Sequence, residues 1–316
     1  MQSAKHYNSD QKQSNFLERN SCPVCGSRSP KLVYKTSYNL LEPYLTRFYD
    51  GRVEFQFLRG SDFILHECDQ CGLVYQRFAP NDVLVRKLYE EWIDPVKSKE
   101  RQDFLQKTTN LKYAQEMLFI QEMIPKPPNK IKVLDFGMGW GGWCRMAQSF
   151  GFQVYGSELS EARIEHARRF GISITSWDDI PSMDFDFVNT EQVFEHLVDP
   201  LGTLKQLKSG LHTNGIIKIS VPNGVSIKSR LADEDWSIPS GERKSRSNAV
   251  APLEHINCFN YQALCRLAEK AGMSERRLSL RLLYRTQIGV RPFRMLATLR
   301  KHGTYCFFTP TGGRES

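Results

Sequence analysis

The sequence predicts an α/β protein with a mostly parallel sheet, helices on both of its faces, and a small cysteine-rich module ahead of it. Strand-like and helix-like runs alternate from Ile131 to Asn223, which implies parallel strands joined by right-handed crossovers. A glycine-rich turn, Asp135 to Gly142, joins the first of these strands to the first helix. Two Cys-x-x-Cys pairs, beginning at Cys22 and Cys68, lie far upstream.

The N-terminal residues 1–20 are polar and are expected to form a disordered tail. Residues 21–79 contain Cys22-Pro23-Val24-Cys25-Gly26 and Cys68-Asp69-Gln70-Cys71-Gly72, each of which places two thiolates on a tight turn. Four soft ligands suit Zn²⁺, and a glycine after each second cysteine fits a turn whose amides face sulfur. These residues predict a zinc ribbon in which Leu40 to Gly60 form an insertion. Because four thiolates leave no open coordination position, the metal is expected to be structural.

Disulfide bonds are the competing explanation for these cysteines. No signal peptide is recognisable in the polar N-terminal segment, so we expect a cytoplasmic protein whose thiols stay reduced. Zinc is therefore favoured over disulfides. The other cysteines lie in apolar runs and are expected to be buried structural residues: Cys144, Cys258, Cys265 and Cys306.

Length and composition are compatible with this organisation. A chain of 316 residues with 40% hydrophobic content can bury a full core and carry a small metal-bound module. No apolar run approaches the roughly 20 residues that a membrane-spanning helix needs. A net charge of +8 favours acidic partners such as nucleic acid, anionic membranes or phosphorylated substrates, without choosing between them.

Residues 80–129 are predicted to be helices that link the ribbon to the sheet. Pro80-Asn81-Asp82 caps a helical run, Val83 to Trp92. A second run, Phe104 to Met123, has apolar residues at helical spacing and stops before Pro125-Lys126-Pro127-Pro128.

Residues 130–316 begin with the most informative motif of the chain. The glycines of Asp135 to Gly142 let the backbone turn tightly and approach a ligand, while the following helix offers free N–H groups. Such a turn also allows a helix to pack closely on a sheet, so the turn alone is weak evidence. Glu158 ends the next apolar run, 23 positions after Asp135, where a carboxylate can accept two hydrogen bonds from a ribose diol. The pair predicts a nucleoside cofactor.

The spacing Asp-x-Gly-x-Gly-x-Gly from Asp135 to Gly141 resembles motif I of class I S-adenosylmethionine-dependent methyltransferases. Phe185 to Leu197 resembles the fourth-strand segment of that family, Phe-Asp-x-Val followed by apolar-Glu-His-apolar. Leu201 to Leu211 and Ile216 to Asn223 are similar to the helix and fifth strand that follow. The resemblance covers about Ile131 to Pro310. It implies a Rossmann-like sheet of seven strands, with the last strand antiparallel, and S-adenosylmethionine as the cofactor.

The resemblance also implies which residues contact the cofactor. Asp135 would organise the glycine turn and the amine of the methionine part, which Gly137 and Gly139 would line. Glu158 would hold the ribose, and Gln192 would border the sulfonium. The remaining expected cofactor residues are Gly141, Leu159, Glu191 and His196.

Recognition of adenine departs from the family pattern. The family usually has an aspartate at the position of Ser176, where its carboxylate binds the adenine amino group. Either Trp177 stacks on adenine or Asp178 provides the polar contact. A solvated loop with a partly buried tryptophan is the alternative.

The segment 224–253 interrupts the alternation and is expected to be a lid or substrate loop over the cofactor, because long ordered loops are usually functional. A mobile solvated insertion is the alternative. This segment contains Trp236 and a basic cluster of Arg243, Lys244 and Arg246. The elements predicted after it are a helix (Tyr261 to Ala271), a strand (Met273 to Leu283), a basic helix (Pro292 to Lys301) and a last strand (Thr304 to Phe308).

Leu253 to Phe259 resembles a Glu-His segment of sugar C-methyltransferases and of zinc-ribbon methyltransferases of polysaccharide and deoxysugar pathways. Methyl transfer from a sulfonium mainly requires alignment of the acceptor and removal of its proton. The resemblance implies that His255 is the general base and that Glu254 orients it or polarises the substrate. The alternative is that His255 caps the helix or satisfies a buried carbonyl group.

The sequence therefore predicts an S-adenosylmethionine-dependent methyltransferase of carbohydrate biosynthesis. The expected acceptor is a small sugar or nucleotide-linked sugar, methylated on oxygen or carbon, whose diphosphate the basic cluster of the loop could hold. A nucleic-acid methyltransferase is the second hypothesis, although Asn189 to Gln192 replaces the Asn-Pro-Pro-Tyr-type segment expected for base amines. A non-catalytic binding protein is the third, suggested only by Ser176.

Overall fold

The computed structural model describes residues 15–232, 234, 236, 247–279 and 305–312. Five strands and one α-helix form its N-terminal part: β1 (Phe16–Glu18), β2 (Pro30–Ser37), α1 (Glu42–Phe48), β3 (Asp62–Cys68), β4 (Val74–Gln76) and β5 (Phe78–Pro80). A 3₁₀ turn, Phe55–Phe57, follows α1 inside the segment predicted as an insertion. The predicted polar tail, residues 1–20, extends too far along the chain. Phe16 is buried and β1 pairs with β5, so these residues belong to the folded structure.

Two helical stretches link this part to the large sheet. They are α2 (Asp82–Arg86), continued by a π-helical turn (Lys87–Trp92), and α3 (Pro95–Met123). Asn81 caps α2 by accepting from the Leu84 amide at 3.1 Å. The second helix begins nine residues before the predicted Phe104, because Asp94 caps it and Pro95 fits its first turn. Its first turns lack an apolar stripe, which is why periodicity did not reveal them.

The remaining strands are β6 (Lys132–Phe136), β7 (Gln153–Ser157), β8 (Ser173–Ile174), β9 (Phe185–Glu191), β10 (Leu211–Ser220), β11 (Asn257–Cys258), β12 (Met273–Glu275) and β13 (Tyr305–Pro310). The helices among them are α4 (Gly142–Ser149), α5 (Glu161–Arg168), α6 (Pro200–Ser209), α7 (Ile227–Ala232) and α8 (Tyr261–Lys270). Short 3₁₀ turns occupy Pro128–Lys130, Ile180–Ser182, Phe194–His196 and Ser247–Val250.

Seven of these strands form one sheet in the order β12-β13-β10-β9-β6-β7-β8. The pairs from β10 to β8 are parallel, whereas β13 runs antiparallel to both β10 and β12. The predicted α/β sheet with an antiparallel last strand is confirmed. Strand β12 ends at Glu275 rather than continuing through the described residues up to 279. The predicted basic helix Pro292 to Lys301 lies outside the described residues.

The second sheet joins distant parts of the chain. Its order is β11-β4-β3-β2, and all its pairs are antiparallel, so β11 is a strand from the C-terminal half added to an N-terminal sheet. The two halves also share a hydrophobic core, in which Leu73 and Tyr75 pack with Phe185, Ile217 and Leu264. On the other face of the large sheet, α3 and α4 cover a separate core. The cysteine-bearing part is therefore packed directly on the α/β sheet.

Among the described helices, none combines the length and the apolar character needed to cross a bilayer.

Candidate active site

The glycine-rich turn lies at the carboxyl end of β6 and requires glycine for two reasons. Gly137 and Gly141 have φ angles of +74° and +73°, a conformation that L side chains rarely adopt. A Cβ on Gly137 would also lie 2.6 Å from Cγ2 of Val193, and one on Gly141 would lie 2.8 Å from Cδ1 of Ile172. The turn therefore brings backbone without side chains to the carboxyl edge of the sheet. Gly137 lines a large cleft there.

Glu158 lies at the end of β7 and ties the glycine turn to the next loop. Its Oε2 accepts from the Gly139 amide at 3.0 Å, while Oε1 accepts from the amides of Leu159 and Ser160 at 2.9 and 3.1 Å. Glu158 and Leu159 both line the cleft. The carboxylate predicted for ribose binding is therefore held in place by backbone donors beside the turn.

Asp135 lies beneath the turn rather than in the cleft wall. It is buried, and its carboxylate accepts from Nδ2 of Asn189 at 2.7 Å and from Sγ of Cys144 at 3.6 Å. Burial raises the pKa of Asp135 to about 7, although the amide of Asn189 and the charge of Lys218 oppose that shift. These contacts suit the predicted role in organising the turn.

The loop after β8 carries the residues that the sequence predicts for adenine contact. Trp177 is 39% exposed, lines the cleft, and its ring centroid lies 5.7 Å from that of Phe136. Ser176 donates to Oδ2 of Asp179 at 2.6 Å. Asp179 lines the cleft, whereas the exposed Asp178 is not among its lining residues. Asp179 was not among the residues that the sequence predicted for this part of the cleft. The signal that could have pointed to it is its position three residues after Ser176.

The end of β9 brings the expected sulfonium region to the cleft. Gln192 lines it with a φ angle of +57°, and its amide donates to the Ser220 carbonyl at 2.7 Å. A non-glycine residue in this conformation is strained, as is common at functional sites. Glu191 instead pairs with Lys112 and with Nζ of Lys218. Burial alone would raise its pKa, but these two cations lower it.

The cleft continues from the cofactor end to the N-terminal part of the chain. Its volume is about 1500 Å³. The far wall comes from three places: the end of α1 with the residue pair that follows it (Arg47 to Asp50), the helical stretch from Asp82 to Asp94, and the segment Leu253 to Ile256. Residues of the N-terminal part and residues of the α/β part both line the cleft. The two parts therefore build it together.

A polar cluster lines this second half of the cleft. Nδ1 of His196 lies 2.9 Å from the Glu254 carbonyl and 3.0 Å from the hydroxyl of Tyr89. The hydroxyl of Tyr49 donates to Oε1 of Glu254 at 2.7 Å. Sequence reasoning found His196 and Glu254 but missed Tyr49 and Tyr89, because these contacts join residues 107 and 205 positions apart.

His255, the predicted base, lies beside this cluster. Its ring centroid is 4.9 Å from that of His196 in an edge-to-face arrangement. His196 and Glu254 line the cleft, whereas His255 is half-buried next to them. Burial and the neighbouring His255 lower the pKa of His196 to about 3. His196 is therefore neutral at physiological pH, with Nδ1 protonated towards the Glu254 carbonyl and Nε2 left as an acceptor.

Glu195 lies next to these histidines and is fully buried. Within the part of the chain that the structure describes, neither of its carboxylate oxygens has a hydrogen-bond partner. Its Oε1 lies 3.8 Å from Nε2 of His196. Burial raises the pKa of Glu195 to about 8, although its own backbone amide opposes that shift; the charge of Glu191 adds a smaller rise. This carboxyl is therefore protonated at neutral pH, a property that the sequence did not reveal.

The four predicted metal ligands converge at the base of the N-terminal sheet. The sulfurs of Cys22 and Cys71 are 3.6 Å apart, and those of Cys25 and Cys68 are 3.4 Å apart. All four lie within 4.8 Å of one another. Bonds of about 2.3 Å to a tetrahedral Zn²⁺ would place sulfurs about 3.8 Å apart, so the arrangement fits such an ion. Gly26 and Gly72 follow the two pairs with positive φ angles.

The sheet order, the glycine turn and the acid at the end of the second strand define a class I S-adenosylmethionine-dependent methyltransferase. A family model described as "Methyltransferase domain" matches residues 106–274. This match covers more than half of the chain, and the chain belongs to that family. The prediction of a methyltransferase is confirmed.

Individual relatives are more distant. The "Ubiquinone biosynthesis O-methyltransferase" of Bradyrhizobium diazoefficiens is 33% identical over 102 residues, which are 29% of this chain and 40% of that protein. The match thus spans less than half of the relative. The solved structure of the plantazolicin methyltransferase BpumL in complex with SAH and a pentazolic analog is 18% identical, with a TM-score of 0.48 over 72% of this chain and 95% of the other. An S-adenosylmethionine dependent methyltransferase from Mesorhizobium loti is 16% identical, with a TM-score of 0.42 over 63% and 98%.

Proposed function

We propose that the protein transfers the methyl group of S-adenosylmethionine to a small polar acceptor, a sugar or nucleotide-linked sugar. The observation that carries this proposal is the continuity of the cleft. One end has the glycine turn and Glu158, and the other has the hydroxyl, imidazole and carboxylate groups around His196. A cofactor and a polyol of modest size fit together in such a volume, which aligns the acceptor with the sulfonium.

The acceptor half carries charges of both signs, which suits a small acceptor with few charges better than a long polyanion. Four carboxylates line this wall, of which Asp50 pairs with Lys97 and Asp94 with Arg52: Asp50, Asp82, Glu90 and Asp94. Arg47 and Arg86 also lie there and offer guanidinium donors to a single diphosphate. The basic cluster predicted to hold that diphosphate, residues 243–246, lies outside the described residues.

The proposed reaction is an in-line displacement. An acceptor oxygen or carbon attacks the methyl carbon, the C–S bond breaks with its electron pair left on sulfur, and S-adenosylhomocysteine departs. The proposed acceptor of the proton is the imidazole of His255, which lies directly beside the cleft-lining His196 and Glu254 rather than in the cleft wall. The adjacent His196 is a weak base, because its pKa lies near 3. Glu254 keeps its proposed role of orienting His255 or polarising the acceptor, and the hydroxyl of Tyr49 donates to its carboxylate.

A structural Zn²⁺ bound by the four cysteines is also part of the proposal. It would join Cys68, at the end of β3, to Cys22 and Cys25 in the turn after β1. Four thiolates leave it no open coordination position for catalysis. The proposal divides the chain into a zinc ribbon (21–79), linking helices (80–129) and a methyltransferase domain (130–316) with its loop 224–253. A reducing cytoplasm would keep these thiols available to the metal.

Calorimetry with S-adenosylhomocysteine tests the cofactor site. The wild type is compared with Glu158→Ala, which should lose on the order of 1.5 to 3 kcal/mol of binding free energy with the ribose hydrogen bonds. Glu161→Ala is the matched control, since Glu161 is exposed on α5 and pairs only with Arg168 among described partners. Equal affinities of wild type and Glu158→Ala would remove Glu158 from the site.

A screen of nucleotide sugars by mass spectrometry then tests the acceptor, with the gain of one methylene mass as the readout. Methylation of a nucleotide sugar would support the proposal. Binding of S-adenosylhomocysteine without any methylated sugar, together with salt-sensitive retention of nucleic acid on filters, would favour the nucleic-acid alternative.

A further inference from the structure

We infer that Arg19 and Gln76 of the cysteine-bearing part are positioning residues for the acceptor chemistry. They fix the segment that carries Glu254 and His255 and, through Asn257, the turn that carries His196. The inference rests on the proposed function, because it assumes that this segment handles the acceptor. It gives the cysteine cluster a role beyond stabilising its own fold.

The segment after His255 is a strand of the N-terminal sheet. In β11, Asn257 and Cys258 pair with Tyr75 and Val74 of β4. The amide of Gln76 donates to the Ile256 carbonyl at 2.9 Å. The backbone next to the predicted base is therefore held by a strand that begins three residues after Cys71.

The Gln76 side chain extends this contact to His255 itself. Gln76 is 1% exposed. Its Nε2 donates to the carbonyls of His255 and Ala251 at 3.2 and 3.3 Å. These bonds cross the base of the loop that presents Glu254 and His255, so they limit the directions in which both side chains can point.

Arg19 binds the same segment from the other side. Its guanidinium donates to the carbonyls of Gln76 and Ile256 at 2.6 Å each and to Oδ1 of Asn257 at 2.7 Å. Arg19 is only 9% exposed, and it also lies over the ring of Tyr75. A buried planar group with several donors holds three acceptors in a fixed geometry, which a lysine cannot reproduce.

Asn257 connects Arg19 by hydrogen bonds to the turn that carries His196. While its Oδ1 accepts from Arg19, its Nδ2 donates to the carbonyls of Phe194 and Leu197 at 3.1 and 2.6 Å. These carbonyls flank the turn that places His196 in the cleft. Asn257 is fully buried. One arginine thus anchors both segments of the acceptor wall, whereas Glu158 is held by backbone amides of the turn and loop at the edge of the large sheet.

The cysteine cluster controls the anchor because Arg19 precedes Cys22 by three residues and β3 ends at Cys68. Loosening the four thiolates would remove a restraint on the turn that follows Arg19 and on the β3–β4 turn that precedes Gln76. We expect metal depletion to resemble loss of Arg19, with a disturbed acceptor wall and an intact cofactor site.

Hydrogen–deuterium exchange on the full chain tests this coupling without an acceptor. Arg19→Gln should accelerate exchange in residues 254–258 by roughly tenfold or more while leaving residues 132–145 and the affinity for S-adenosylhomocysteine unchanged. Arg77→Gln is the matched control, since Arg77 pairs with Glu18 at the surface. Arg19→Lys should show a smaller acceleration, and chelator-treated wild type should resemble Arg19→Gln.

Two outcomes would overturn the inference. One is unchanged exchange in residues 254–258 of Arg19→Gln. The other is acceleration spread evenly over β6 and β9 in both Arg19 variants, which would make Arg19 a general stabiliser. Once an acceptor is known, Arg19→Gln should lower kcat by about 100-fold, the cost of misplacing a reacting group, with the KM for S-adenosylmethionine within about twofold. Failure to find any acceptor would refute the proposed function but leave the exchange result valid.

Discussion

Replacing Glu195 with glutamine should make the protein more stable at alkaline pH. Glu195 is fully buried, and within the described structure its carboxylate oxygens have no hydrogen-bond partners. Burial raises its pKa from 4.5 to about 8. The backbone amide of Glu195 opposes this rise and the charge of Glu191 adds to it, while the neighbouring His196 is neutral. Glutamine has nearly the shape of the protonated acid and never ionises.

The sign of the effect follows from proton linkage. Below pH 4.5 the carboxyl is protonated in both states, so Glu195 adds no pH dependence. Between pH 4.5 and 8 the unfolded chain releases the proton while the folded protein keeps it, so stability falls by about 1.4 kcal/mol per pH unit. Across the window this loss is on the order of 5 kcal/mol. Asp135, with a pKa near 7, adds a similar fall at lower pH in both proteins.

Urea unfolding at pH 5, 6, 7 and 8 measures this difference directly. The free energy of unfolding of Glu195→Gln relative to wild type should grow steadily with pH. Glu161→Gln, a change at an exposed side chain of α5, should run parallel to wild type. Parallel curves for wild type and Glu195→Gln would show that Glu195 is not protonated in the folded protein and would refute the argument.

The remaining predictions concern the base and the metal. His255→Asn should lower turnover of an identified acceptor by about 10²- to 10⁴-fold and leave the affinity for S-adenosylhomocysteine intact, whereas His212→Asn should change neither; retained turnover would exclude His255 as the base. Cys68→Ser should lower the zinc content measured by mass spectrometry, whereas Cys265→Ser should not; a wild type without zinc, or an unchanged content in Cys68→Ser, would refute the proposed site.

The cofactor half of the cleft was predictable because its signals are local. The turn at Asp135 to Gly141 and the acid at Glu158 follow from backbone conformation and strand alternation, both of which are written in short stretches of sequence. The parallel strands and their helical crossovers follow from the same alternation. The early start of α3 was missed because Asp94 and Pro95 define it, while its first turns lack an apolar stripe. The π-helical turn at Lys87–Trp92 has no comparable sequence signal.

The acceptor half was less predictable because no short stretch encodes it. Tyr49 meets Glu254 across 205 positions, and Arg19 reaches Asn257 across 238. Such contacts depend on how the two sheets pack. Strand β11 joins the N-terminal sheet only after the chain has passed through the five parallel strands of the large sheet. The resemblance of this segment to other methyltransferases therefore pointed to His255 and Glu254, but not to the groups that hold the segment in place. The same topology explains why the two ends of the cleft should respond separately to mutation. Local turns form the end where we propose that the cofactor binds, whereas long-range hydrogen bonds to the cysteine-bearing sheet hold the segments of the proposed acceptor wall.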